Sequence, residues 1–129
     1  PAPMPHPIMD KPETRILIVE DDRLAMAVLV VGLEAHGYTI AKAGSGEEAL
    51  TMVDKVNPDL VTLDIKMSGM DGVETLRRLK EKRRDLPIIM STAYPTYKQD
   101  FSTWASDAYI VKSSDMTELK ETVRKILEE

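Results

Sequence analysis

From Arg15 onward, short runs of apolar and β-branched residues alternate with longer segments of helical character. "RILIV", "YTIAKA", "DLVTLDI", "PIIMST" and "AYIVK" are rich in Ile, Val, Leu and Thr, and each is followed by a segment long enough for a helix. The pattern predicts five βα units. Runs one, three and four are apolar on successive residues, as expected of parallel strands covered by helices on both faces. Ser45 stands three residues ahead of Glu48, and Asp71 three ahead of Glu74, so capping boxes open the second and third helices. The last helix carries Met116, Leu119, Val123, Ile126 and Leu127 on one stripe, with Lys120, Glu121 and Arg124 on the other side. The first, "LAMAVLVVGLEAHG", is apolar around most of its circumference. It is read as a thickly buried helix, with a homodimer contact as the alternative.

Ahead of this pattern, Pro1 to Thr14 holds five of the eight prolines, which lack backbone donors and favour extended conformations. Residues 1–14 are expected to be a flexible leader, and 15–129 one domain. A length of 129 residues suits a single core. No apolar run approaches the roughly 20 residues that cross a bilayer, and there is no signal-peptide pattern. The chain has no cysteine, so disulfides and thiolate metal sites are excluded, and a cytoplasmic location is the default. A net charge of -5 opposes binding to a phosphate backbone, so no direct nucleic-acid contact is expected. His6 and His36 have no neighbouring ligand residues, "GSGEE" lacks a Walker lysine, and "RRLKEKRRD" reads as a solvated helix face.

In an open parallel sheet, ligands bind beyond the carboxyl ends of the strands. Strand one ends in Glu20, Asp21 and Asp22, strand three in Asp64, strand four in Ser91 and Thr92, and strand five in Lys112. In the order 2-1-3-4-5 these ends form one row. Carboxylates about 4 Å apart repel by roughly 4 kcal/mol at an effective dielectric near 20, so a cation must sit among them. Oxygen-only donors with room for water describe Mg2+, and Lys112 adds a fixed positive charge. An aspartate beside a divalent cation, a hydroxyl and an ammonium can attack phosphorus and form an acyl phosphate.

Four motifs, "ILIVEDD", "DLVTLDIKMSGMDG", "PIIMSTAY" and "AYIVK", occur in order from Arg15 to Glu129 and resemble the receiver domain of two-component response regulators, of the chemotaxis-regulator type. The resemblance implies a doubly wound, flavodoxin-like α/β fold. It makes Asp64 the phosphoacceptor, Asp21 the direct Mg2+ ligand, Glu20 a ligand through water and the backbone carbonyl of Lys66 the third protein ligand. Thr92 and Lys112 would bind phosphoryl oxygens, and Tyr109 would be the aromatic switch. Lys66 and Tyr94 would flank the path of the hydrolytic water, and a bulky Tyr94 implies slow dephosphorylation. Asp22 is left to start the first helix. The implied partners are a histidine kinase or a histidine phosphotransfer protein, and a downstream protein or output domain. Such a domain catalyses only its own phosphorylation and dephosphorylation. The rival reading is a pseudo-receiver, an interaction module that keeps the fold without phosphoryl chemistry.

Two family prolines are replaced by Ser68 and Ser113. The family's cis peptide after the lysine would cost about 2.5 to 4 kcal/mol before a non-proline residue. Either a trans bond with a shifted loop or a strained cis bond is expected at Lys112–Ser113. "YPTYKQDFSTWASD" has little helical stripe, so the fourth helix is expected to be short or irregular, with Phe101 and Trp104 as local packing.

Overall fold

The computed structural model describes residues 13–65, 67, 69–92, 106–112 and 116–128. Five parallel strands, β1 (Arg15–Val19), β2 (Thr39–Ala43), β3 (Leu60–Asp64), β4 (Ile88–Thr92) and β5 (Ala108–Val111), form one sheet in the order β2-β1-β3-β4-β5. Four helices are described: α1 (Arg23–Glu34), α2 (Gly46–Val56), α3 (Gly72–Lys82) and α4 (Thr117–Glu128). The predicted order and the doubly wound architecture are therefore present. Residues 93–105, with the expected short helix, Phe101 and Trp104, lie outside the described residues. So does Ser113, and with it the peptide bond after Lys112.

Strand alternation divides the core in two. Leu17, Val19, Val61, Leu63, Ile88 and Met90 face α2 and α3, which contribute Ala49, Val53, Leu76 and Leu79. Ile16, Ile18, Leu60, Ile89 and Ile110 face α1 and α4, which contribute Leu29, Leu33, Leu119 and Val123. Burial on both faces explains why β3 and β4 are buried along their whole length. None of the described helices is long and apolar enough to cross a membrane.

Helix starts follow local side-chain chemistry. The Ser45 hydroxyl accepts the Glu48 N–H, while Glu48 returns its bond to Gly44 N at 2.6 Å rather than to the cap itself. Asp71 caps α3 by accepting Glu74 N at 2.9 Å, but Glu74 is engaged by Arg77 and Arg78, so only half of that box forms. These same exposed pairs confirm a solvated face on α3. Just ahead of β1, Thr14 O accepts Thr39 N and the Glu13 carboxylate accepts the Thr39 hydroxyl, which ties both residues to β2.

The expectation of a thickly buried first helix does not hold. Only Leu29 and Leu33 of α1 are buried; Leu24 is 74% exposed, Val28 49% and Val31 68%. Periodicity reports how much apolar surface a helix carries, and a helix lying on one sheet has only one side to bury. The surplus of α1 faces outward.

Candidate phosphoryl-acceptor site

The site assembles at the carboxyl edge because three neighbouring strands end there on polar residues. β1 pairs with β3 and β3 with β4 in parallel, with Asp64 opposite Ser91. Immediately after β1, Glu20 is 3% exposed, and at the end of β3 Asp64 is 7% exposed. Carboxylate oxygens of Glu20, Asp21 and Asp64 all lie within 4.8 Å of one another. At that separation each charged pair repels by about 3 to 4 kcal/mol at an effective dielectric near 20.

One cation is already in place. Lys112 Nζ donates to Glu20 Oε1 at 2.6 Å and stands 3.5 Å from Asp64 Oδ1. Its backbone N–H donates to Thr92 O at 2.7 Å, which fixes the lysine beside the end of β4. The other oxygen of Glu20 accepts the Asp22 N–H at 3.2 Å, so both Glu20 oxygens are engaged. Asp22 itself caps α1, accepting the N–H groups of Leu24 and Ala25 through one oxygen, the role expected of the third acid.

This division of bonds leaves Asp64 the less compensated acid. Burial raises its pKa from 3.8 to about 6; the charge of Lys112 works against this and that of Glu20 adds to it. Burial alone would lower Lys112, but its hydrogen bond to Glu20 and the charges of Asp64 and Glu20 outweigh that and hold it above the ordinary lysine value. Three carboxylates against one ammonium form an under-neutralised, oxygen-only donor set, which fits a hard divalent cation.

Of the other predicted residues, Thr92 is fully buried at the end of β4, next along the strand from the partner of Asp64. Tyr109 pairs in register with Met90 and packs, partly buried, against the core under α2 and α3. Lys66 and Tyr94 lie outside the described residues. One contributor escaped the sequence reading. Gly72, the first residue of α3, packs so closely that a Cβ there would fall onto the Asp64 carbonyl oxygen, and its N–H donates to Ile65 O at 2.8 Å. The "MDG" triplet held that signal, but nothing in it says which backbone the glycine must approach. Beside the acids, α1, β5 and α4 enclose a largely apolar groove of about 430 Å³, with Leu24, Val28 and Met116 in its wall and Asp22, Ser91 and Lys112 among its polar lining.

Residues 16–124 match the response regulator receiver domain family. Among curated proteins, the positive alginate biosynthesis regulatory protein of Pseudomonas aeruginosa is 35% identical over 113 residues, covering 85% of this chain and 46% of the relative. The transcriptional regulatory protein ZraR of Escherichia coli is 36% identical over 115 residues, covering 87% and 26%. The chain thus spans less than half the length of these two relatives. Among solved structures, the response regulator TrrA of Thermotoga maritima in complex with Mg2+-BeF superposes with a TM-score of 0.84 at 44% identity, over 88% of this chain and 98% of that one. TrrA in complex with the histidine kinase ThkA gives 0.82 at 45% identity, with the same coverage. A match along most of the chain, with relatives above 30% identity over more than four-fifths of it, places the protein in the response regulator receiver domain family.

Proposed function

We propose that Asp64 accepts a phosphoryl group from a histidine kinase or a histidine phosphotransfer protein in a Mg2+-dependent reaction, and that the modified domain changes its affinity for a downstream partner. The observation that carries this reading is the convergence of Glu20, Asp21 and Asp64 within 4.8 Å, with Lys112 as their cation. The solved complexes of TrrA with Mg2+-BeF and with a histidine kinase support it at 44% and 45% identity.

Mg2+, when bound, would neutralise charge on the transferring oxygens. Asp21 would hold it directly, Glu20 through water, and the Lys66 carbonyl would complete the protein ligands. An ionised Asp64 oxygen attacks phosphorus, a P–O bond forms, and the bond to the donor breaks with its electron pair leaving on the donor's imidazole nitrogen. Lys112 stands 3.5 Å from Asp64, within reach of a phosphoryl oxygen there, and Thr92 would donate its hydroxyl to another. The added charge, about -1.5 to -2, then competes with Glu20 for the ammonium. Tyr109 is the aromatic group that would follow the switch, and Tyr94 would shield the acyl phosphate from water. The exposed apolar face of α1 and the groove beside it suit a helix of the kinase.

The test is to incubate the protein with acetyl phosphate and Mg2+ and measure the intact mass of the wild type and of Asp64→Asn. The wild type should gain one phosphoryl mass and the variant none. If the wild type gains none and beryllofluoride also fails to bind, the proposal falls and a pseudo-receiver is left.

A further inference from the structure

Between β3 and α3, two bonds tie down the described residues of the turn that follows Asp64. Near Asp64, Gly72 N donates to Ile65 O and closes the turn onto β3. At its outer edge, Met70 N donates at 3.2 Å to Glu47 Oε2, a side chain from the first turn of α2, 23 residues away in sequence. Glu47 also lies against Gly69: a Cβ built there would be 3.3 and 3.5 Å from its two carboxylate oxygens. Gly69 has φ +77°, where only glycine is unstrained, so the chain turns back at this residue against the carboxylate. The base of Glu47 is itself fixed, because the preceding Gly46 is buried and packs directly on Thr75 of α3.

Glu47 is exposed and contributes no oxygen to the acidic cluster. An acid in the first turn of a helix is often explained by the helix dipole alone. Here Glu48 already stands in that turn and bonds Gly44 N, while Glu47 reaches across to another element. A charged acceptor bonding a backbone N–H is among the stronger hydrogen bonds, and Met70 is in the turn that carries the backbone beside the phosphoacceptor.

We infer that Glu47 is a positioning residue for the phosphoryl-acceptor site: its carboxylate anchors Gly69 and Met70 to α2 and, through Gly72, which packs on the Asp64 carbonyl oxygen, holds Asp64 in place for the divalent cation. The inference rests on the proposed function of Asp64. It makes α2, which supplies no ligand, part of the apparatus that sets metal affinity.

The test compares wild type, Glu47→Gln and Glu47→Ala. Glutamine keeps an acceptor oxygen while removing the charge; alanine removes both. In metal-free protein, amide hydrogen exchange of Met70, followed by NMR, should accelerate about tenfold in the alanine variant, as expected for loss of a bond to a charged group. Titration with MgCl2 should give a dissociation constant raised about three- to tenfold in Glu47→Ala and within about twofold of wild type in Glu47→Gln. Thermal midpoints of all three should agree within a few degrees, since the side chain is exposed. Unchanged Mg2+ affinity in the alanine variant overturns the inference. So does an equal loss in the glutamine variant, which would assign the effect to charge. If wild type neither binds Mg2+ nor gains phosphoryl mass, the phosphoacceptor reading fails instead, and Met70 exchange still reports whether Glu47 holds the turn.

Discussion

Replacing Asp64 with asparagine should stabilise the metal-free protein. The carboxyl is 7% exposed, and burial, reinforced by Glu20 and opposed by Lys112, raises its pKa from 3.8 to about 6. A difference of 2.2 between these two values corresponds to about 3 kcal/mol, the cost of keeping the charge in the folded site. Above pH 6 both folded and unfolded states are ionised and the folded protein bears the whole cost. Between the two values the folded state binds a proton that the unfolded state lacks, so this group's cost shrinks as pH falls, and below 3.8 it vanishes. Asparagine never carries the charge, and Lys112 keeps its 2.6 Å bond to Glu20 in the variant. Its buried amide must find partners at a cost that does not change with pH, so the expected gain is about 1 to 3 kcal/mol at pH 7.5 and is smaller by about 2 kcal/mol at pH 4.5, where the charge costs only about 1 kcal/mol. Urea denaturation of both proteins at the two pH values, without metal, measures it. Adding Mg2+ at about 100 times its dissociation constant should stabilise wild type by roughly 2.7 kcal/mol and narrow or reverse the gap. A variant less stable than wild type at pH 7.5 without metal, or a gain unchanged at pH 4.5, refutes the reasoning.

Four further variants have expected outcomes. Thr62 Oγ1 is buried without a hydrogen-bond partner, so Thr62→Val should raise the urea midpoint by the equivalent of about 1 kcal/mol. Lys112→Met should cost about 3 kcal/mol by the same measurement, because Glu20 stays buried without its cation, and should slow labelling by acetyl phosphate. Leu24→Asp combined with Val31→Asp should leave stability within about 0.5 kcal/mol and labelling by acetyl phosphate unchanged, while phosphotransfer from a kinase that phosphorylates wild type falls at least roughly tenfold. Tyr94→Ala should shorten the lifetime of the phosphorylated protein, measured by intact mass after donor removal; an unchanged lifetime removes Tyr94 from its proposed shielding role.

The parts of this fold legible in the sequence are those whose cause is local. Apolar runs bounded by turns gave the strands, and Ser45, Asp71 and Asp22 mark helix starts because a cap bonds N–H groups two or three residues away. The acidic row was legible because strand order and strand ends together place Glu20, Asp21, Asp64 and Lys112 at one edge. Choices among several acceptable partners were not. Glu74 could have closed a capping box, yet two arginines on its own helix hold it. The bond between Glu47 and Met70 depends on how α2 lies against α3, a tertiary distance no motif encodes. The outward face of α1 misled for a related reason: the pattern records hydrophobicity, while exposure depends on how many neighbours surround the helix.

The allocation of Lys112 couples the buried Glu20 to the phosphoacceptor. Its ammonium could have been shared evenly, but it sits 2.6 Å from Glu20 and 3.5 Å from Asp64. Glu20 is nearly sealed from water and cannot be left alone, whereas Asp64 tolerates the weaker contact and responds by binding its proton more tightly. The three acids and one ammonium, all charged, leave two net negative charges, which one divalent cation balances. On the proposed reading, phosphorylation then places a new dianion beside the same ammonium. Moving Lys112 toward Asp64 strips Glu20 of its partner unless metal-bound water or the Asp22 N–H compensates. The lysine therefore has two alternative partners within a few ångströms, and the balance between them, set by charge on Asp64, is a physical basis for a two-state switch.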